Sequence, residues 1–193
     1  SRENSRTVCV ETSTSLFHDG SSMLVLGLCF GHDGSAAVVR DGKLLAAIAS
    51  ERITRVKKQR GVTRETLRYV LEKANAKLSE IDMVVVANWH WELGHNKVEL
   101  TDKSGQGFLL SHPSGQPWSR EDWTVWNKTN APFMGPLVLT VDGHRLPALV
   151  VDHELAHAAY AYFSSPFKDA VAVSIDGADG QFSSHGIYIF AED

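Results

Sequence analysis

Apolar positions along this chain fall into short runs rather than long ones. Residues 23–30 (MLVLGLCF) are continuously apolar over a strand's length, and residues 34–40 (GSAAVVR) and 43–50 (KLLAAIAS) give two more such runs. Asp41-Gly42 separates the second from the third. Asp-Gly between apolar runs suits a type I′ turn, whose two central residues both need positive φ. The pattern predicts three strands in a meander. Between residues 63 and 76 the period changes, and Leu67, Val70, Leu71 and Ala74 recur at helical spacing with charges elsewhere. That is an amphipathic helix, with Thr63 placed to cap its start. Residues 83–87 (MVVVA) are unbroken and β-branched, which predicts a buried strand parallel to the first.

Residues 137–141, Asp142-Gly143 and residues 146–151 repeat the hairpin signal. Residues 153–163 are Ala-rich and predict a helix. Residues 170–175 (AVAVSI) read as another buried strand, ending in Asp176-Gly177-Ala178-Asp179-Gly180, and residues 186–190 begin a further strand. Two stretches lack a period. Residues 1–22 are rich in Ser, Thr and charge and read as a flexible leader. Residues 88–135 are irregular and hold all five tryptophans, Trp89, Trp91, Trp118, Trp123 and Trp126. Such a stretch is either a functional insertion or a local mini-core of rings. The whole predicts an α/β domain over residues 23–193, a mixed sheet with helices on its faces.

The composition removes several alternatives. Of 193 residues, 43% are hydrophobic and 22% charged, with 19 Lys+Arg against 23 Asp+Glu. Wholesale disorder is excluded by that balance, and mild acidity gives no basic footprint for a nucleic-acid partner. No apolar stretch approaches the ~20 residues of a membrane helix, so no membrane partner is expected. Two cysteines, Cys9 and Cys29, make no disulfide framework, and the polar first 22 residues lack a signal peptide's apolar centre. A cytoplasmic location is the expectation.

The most specific chemical signal is His153-Glu154-Leu155-Ala156-His157. Residues four apart on a helix share one face, so both imidazoles can bind one ion. Nine histidines would give roughly 0.4 such pairs by chance, and the intervening Glu lowers that to roughly 0.02. HExxH is also the zinc-peptidase signature, with Glu as general base. That reading needs a third ligand, yet residues 158–163 (AAYAYF) carry neither Gly nor His, and no Glu occurs between Glu154 and Glu192. Asp176 is the alternative third ligand, at a strand end where ligands of open α/β sheets gather. Gly177 and Gly180 beside it would let backbone approach a phosphate or metal, or simply form a tight turn. A second constellation, Gly31-His32-Asp33-Gly34-Ser35, either exposes His32 and Asp33 at a sheet edge or is an ordinary β-turn. A third, residues 51–58 (ERITRVKK), is either a solvated face or an anion clamp.

In order and together, these segments resemble the N-terminal part of the O-carbamoyltransferases of antibiotic and nodulation-factor biosynthesis. The pieces that carry the resemblance are HDGSAAVVRDGKLLAA, SERITRVKK, HELAHAAYAYFSSPF and AVSIDG. It runs from about Met23 to Phe190, with an unmatched Trp-rich insertion over about residues 89–136. The resemblance implies the first lobe of a sugar kinase/Hsp70/actin-like (ribonuclease H-like) fold, related to enzymes of tRNA threonylcarbamoylation. It implies a divalent metal, iron rather than zinc, on His153, His157 and Asp176. It also implies a catalytic His32, with Asp33 and Lys57 near the transferred carbamoyl group or phosphate and Gly177 and Gly180 toward nucleotide or phosphate. Two departures stand out: Glu154 where that family usually has a second His, and Ala178-Asp179-Gly180 after the strand-end Asp-Gly.

The implied activity is transfer of a carbamoyl group from carbamoyl adenylate to the hydroxyl of a small-molecule acceptor. ATP and carbamoyl phosphate would be substrates of a full-length enzyme whose further C-terminal part, the adenylate-forming domain included, lies outside this sequence. The chain alone is then expected to fold with little or no activity. The rivals are a kinase/Hsp70/actin-like ATP-binding module without metal at the histidines, an HExxH zinc peptidase, and a partner-binding role for the Trp-rich segment.

Overall fold

The computed structural model describes residues 6–11, 22–31, 33–87, 98–101, 107–111, 133–176 and 185–191. It divides into two units, one of Ser22–Val151 and one of Ser1–Ser21 with Asp152–Asp193.

The Ser22–Val151 unit holds strands β2 (Leu24–Cys29), β3 (Ser35–Arg40), β4 (Lys43–Ala49), β5 (Met83–Ala87), β6 (Val98–Thr101), β7 (Gly107–Ser111), β8 (Phe133–Val141) and β9 (His144–Val151). Its helices are α1 (Ser50–Thr54) and α2 (Arg64–Lys73). The eight strands make one sheet in the order β4-β3-β2-β5-β9-β8-β7-β6. The β2-β3-β4 meander is antiparallel, β5 joins β2 in parallel, and β9 joins β5 in parallel. This is the mixed sheet with helices that the sequence pattern predicts. The turns at Asp41-Gly42 and Asp142-Gly143 have positive φ at all four residues, as type I′ geometry requires. Asp41 also fastens the meander: its carboxylate accepts the Met23 N–H at 2.7 Å and the Ser22 hydroxyl at 2.8 Å. These two bonds hold its carboxyl below the usual carboxylate range.

Alternation decides which side of the sheet is core. Leu24, Leu26 and Leu28 of β2, Ala36 and Val38 of β3, and Val84 and Val86 of β5 are buried with Leu67, Val70 and Ala74 of the α2 segment. The other side of β2–β5 carries small residues, among them Gly27, Ala37, Ala47 and Ala87, around an open depression of about 480 Å³. Helix α2 starts where its cap stands, since Thr63 Oγ1 accepts the Thr66 N–H at 3.2 Å. Thr63→Ala is expected to lower the unfolding free energy by about 1 kcal/mol, measured by urea denaturation; an unchanged midpoint would show that the cap contributes nothing.

One expectation needs correction in this unit, and another cannot be placed. Residues 88–135 are not uniformly irregular: β6, β7 and the start of β8 lie there and extend the sheet. All five tryptophans fall outside the described residues.

The second unit holds β1 (Arg6–Glu11), α3 (His153–Phe163), β10 (Ala170–Ile175) and β11 (His185–Ala191). Its sheet has the order β1-β11-β10, with β1 parallel and β10 antiparallel to β11. Part of the segment read as a leader is therefore a strand: the run RTVCVE holds Thr7, Val8 and Val10, which suit an extended backbone. The reading of β10 as buried also changes. Ser174 is buried, whereas Val171, Val173 and Ile175 are exposed, because α3 covers one side of this sheet. No helix among the described residues is long and apolar enough to cross a membrane.

Candidate metal site and the loops of the sheet edge

Helix α3 begins at its first histidine because of the residue before it. Asp152 Oδ1 accepts the Leu155 N–H at 3.1 Å, a side-chain cap for an otherwise unpaired donor. The Tyr188 hydroxyl on β11 donates to that same oxygen at 3.1 Å. Gly186 makes room for this, since a Cβ there would lie 2.5 Å from the Tyr188 ring. On the inner side of α3, Leu155, Ala158 and Tyr162 are buried, and the Tyr162 ring stacks on Phe190 with centroids 4.4 Å apart. The start of α3 is thereby pinned to the sheet.

From that base His153 and His157 project one turn apart, and Asp176 follows the end of β10. His153 Nε2 stands 2.8 Å from Asp176 Oδ2 and 3.2 Å from His157 Nε2, and His157 Nε2 stands 3.6 Å from Asp176 Oδ2. Donors bound at ~2.0–2.2 Å to one ion, at tetrahedral to octahedral angles, lie roughly 3.0–3.5 Å apart. The observed edges straddle that range. Among the described residues these three are the cluster of His, Cys, Asp or Glu that could hold a metal. His153 Nε2 carries either one proton or one lone pair, yet it faces an acceptor and a second imidazole nitrogen at bonding distance; an ion between the three atoms would suit all of them. His153 is the least exposed at 21%, His157 is 56% exposed and Asp176 46%, so open positions would face solvent.

Glu154, the second residue of the HExxH pattern, turns elsewhere. It is buried and accepts the Ser174 hydroxyl of β10. A peptidase base must reach metal-bound water, and this carboxylate is instead engaged inside the unit.

The other sequence-derived site residues belong to the Ser22–Val151 unit, except Gly177 and Gly180. His32, Gly177 and Gly180 lie outside the described residues. Asp33 is exposed in the loop between β2 and β3, and Lys57 is exposed in the turn after α1. Their two loops are joined: Gly34 N–H donates to Gln59 O at 2.9 Å, and Gly61 N–H donates to Gly31 O at 3.1 Å. Sequence reasoning missed the residue that locks them. Ser50, fully buried, donates its N–H to Gly34 O at 2.7 Å and its hydroxyl to Gly61 O at 2.9 Å. Its hydroxyl accepts from Thr66 Oγ1 of α2 at 3.1 Å. The one local signal was a Ser ending an apolar run; its partners lie 11 to 16 residues away in sequence.

Comparison with known proteins adds the following. A family model described as carbamoyltransferase N-terminus matches residues 24–193. Nodulation protein NolNO of Sinorhizobium fredii (strain NBRC 101917 / NGR234) is 29% identical over 177 residues, 92% of this chain and 24% of that protein. An uncharacterised protein of Synechocystis sp. (strain ATCC 27184 / PCC 6803 / Kazusa) is 28% identical over 85% of this chain and 27% of its own length. The chain thus spans about a quarter of the length of these curated relatives. Among solved structures, YeaZ from Pseudomonas aeruginosa aligns with a TM-score of 0.36 and 15% identity, over 81% of this chain and 56% of that one.

Proposed function

The chain belongs to the carbamoyltransferase N-terminus family, and on that premise we propose that it is the metal-holding portion of an enzyme that carbamoylates a hydroxyl. The carbamoyl group would come from carbamoyl adenylate, itself made from ATP and carbamoyl phosphate by a further part of a longer protein. The observation that carries the reading is the convergence of His153, His157 and Asp176 at separations of 2.8, 3.2 and 3.6 Å.

Two imidazoles and one carboxylate with open positions suit non-haem iron(II) as well as zinc, and the family resemblance is what favours iron. Bound there, the ion would supply Lewis acidity toward a phosphate or carbamoyl oxygen. The chain's own residues do the rest. The acceptor oxygen attacks the carbamoyl carbon, the bond from that carbon to the adenylate oxygen breaks, and AMP departs. His32 takes the acceptor's proton, since imidazole exchanges protons near neutral pH. Lys57 offers its ammonium to the phosphate or carbamoyl oxygen, and Asp33 contacts the substrate beside it. Gly177 and Gly180, which carry no side chain, would suit a close approach of phosphate to the backbone.

The test compares the longer protein with its His153→Ala variant, both supplied with ferrous iron, ATP, carbamoyl phosphate and candidate hydroxyl acceptors. The expected result is carbamoylated product from the wild type and none from the variant. Undiminished transfer by the variant would refute the metal role. Equal, low metal content in wild type and variant would favour the ATP-binding module instead.

A further inference from the structure

We infer that Glu154 and Ser174 are positioning residues for the metal ligands, an inference that rests on the metal reading of His153, His157 and Asp176. Glu154 adjoins His153 on α3 and is 3% exposed; Ser174 stands two residues before Asp176 on β10 and is 6% exposed. The Ser174 hydroxyl donates to Glu154 Oε2. Side chains alternate along a strand; Ser174 falls on the side of β10 that α3 covers, and Asp176, just past the strand's end, meets His153 of α3. Helix and strand are therefore joined by two neighbouring rungs. One, Glu154 to Ser174, is buried; the other, His153 to Asp176, lies at the rim and carries the ligand atoms.

The buried rung sets the register of the rim. A slide of one strand residue, about 3.3 Å, exceeds a whole metal–ligand bond of ~2.1 Å and would take Asp176 out of reach. Such a slide would also strand the Glu154 carboxylate without its donor in the interior, which is costly. Glu154 thus holds the helix against the strand at the point where the ligands must meet. This gives the glutamate of the HExxH pattern a role that is neither ligand nor general base.

Cobalt(II) titration of the chain, followed by its visible absorption, tests this. Ser174→Ala removes one hydroxyl and no ligand, and is expected to weaken cobalt binding about tenfold or more while far-UV dichroism stays unchanged. Glu154→Ala is expected to do the same. Glu154→Gln keeps an oxygen for the Ser174 proton and is expected to stay within about threefold of wild type, below the roughly 10–100-fold loss of a removed outer contact. Wild-type affinity in Ser174→Ala would overturn the inference. So would a loss in Glu154→Gln as deep as in Glu154→Ala, which would assign the effect to charge. If Glu154→Ala does not fold, Ser174→Ala decides alone. A wild-type chain with no more cobalt affinity than its His153→Ala variant would instead sink the metal reading itself, and this inference with it.

Discussion

Replacing His157 with alanine is expected to cost the chain about two to three orders of magnitude in divalent-metal affinity and almost nothing in stability. Structural four-ligand zinc sites bind with roughly 10–16 kcal/mol, or about 2.5–4 kcal/mol per protein ligand. At about 1.4 kcal/mol per tenfold, one lost imidazole accounts for that range. His157 is 56% exposed, and surface substitutions usually stay within about 0.5 kcal/mol. Cobalt or iron titration gives the first quantity and thermal unfolding of the metal-free chain the second. A variant that binds metal like the wild type would remove His157 from the site.

Gly34→Ala is expected to be the most damaging small change in the Ser22–Val151 unit. A Cβ at this position would lie 1.9 Å from Gly61 O and 2.4 Å from its carbonyl carbon. Those are backbone atoms, with no flexible end to swing away. Relief requires the loops to part, which breaks the Gly34–Gln59 and Gly61–Gly31 bonds and the Ser50 grip on Gly61. At about 1 kcal/mol for each bond, a loss of about 3 kcal/mol follows, read as a lower urea midpoint with unchanged slope. Gly42→Ala makes the comparison clean. Its Cβ meets nothing within 4 Å, but its φ is +74°, so backbone strain alone should cost about 1–2 kcal/mol. A Gly34 variant no worse than the Gly42 one would mean that the loops give way freely. Because His32 and Asp33 sit between Gly31 and Gly34, the same substitution also probes whether that loop must be held for transfer.

Much of this architecture was readable from residue order because it rests on local rules. The Asp-Gly pairs named both type I′ turns, the Leu67-Val70-Leu71-Ala74 spacing named α2 with its Thr63 cap, and the i, i+4 histidines named the shared face of α3. What escaped depends on partners far away in the chain. β1 is six residues of mixed polarity whose pairing with β11 bridges most of the sequence. β6 and β7 are short and sit in a stretch without period. AVAVSI looks equally apolar on both sides, and only the one-sided cover by α3 separates buried Ser174 from exposed Val173 and Ile175. The partners of Ser50 and Glu154 escaped for the same reason, since a lone hydroxyl and a lone carboxylate acquire meaning from Gly61, Thr66 and Ser174. Asp176 was legible because a carboxylate at a strand end before glycines is itself a local pattern.

On the proposed metal reading, an ion gripped by a helix turn and a strand end would behave as a removable cross-link. It binds the folded arrangement and not the unwound one, so occupancy adds to folding free energy by mass action, about 2.7 kcal/mol at a free concentration one hundred times the dissociation constant. The lifetime of the unit containing α3, β10 and β11 would then follow metal supply.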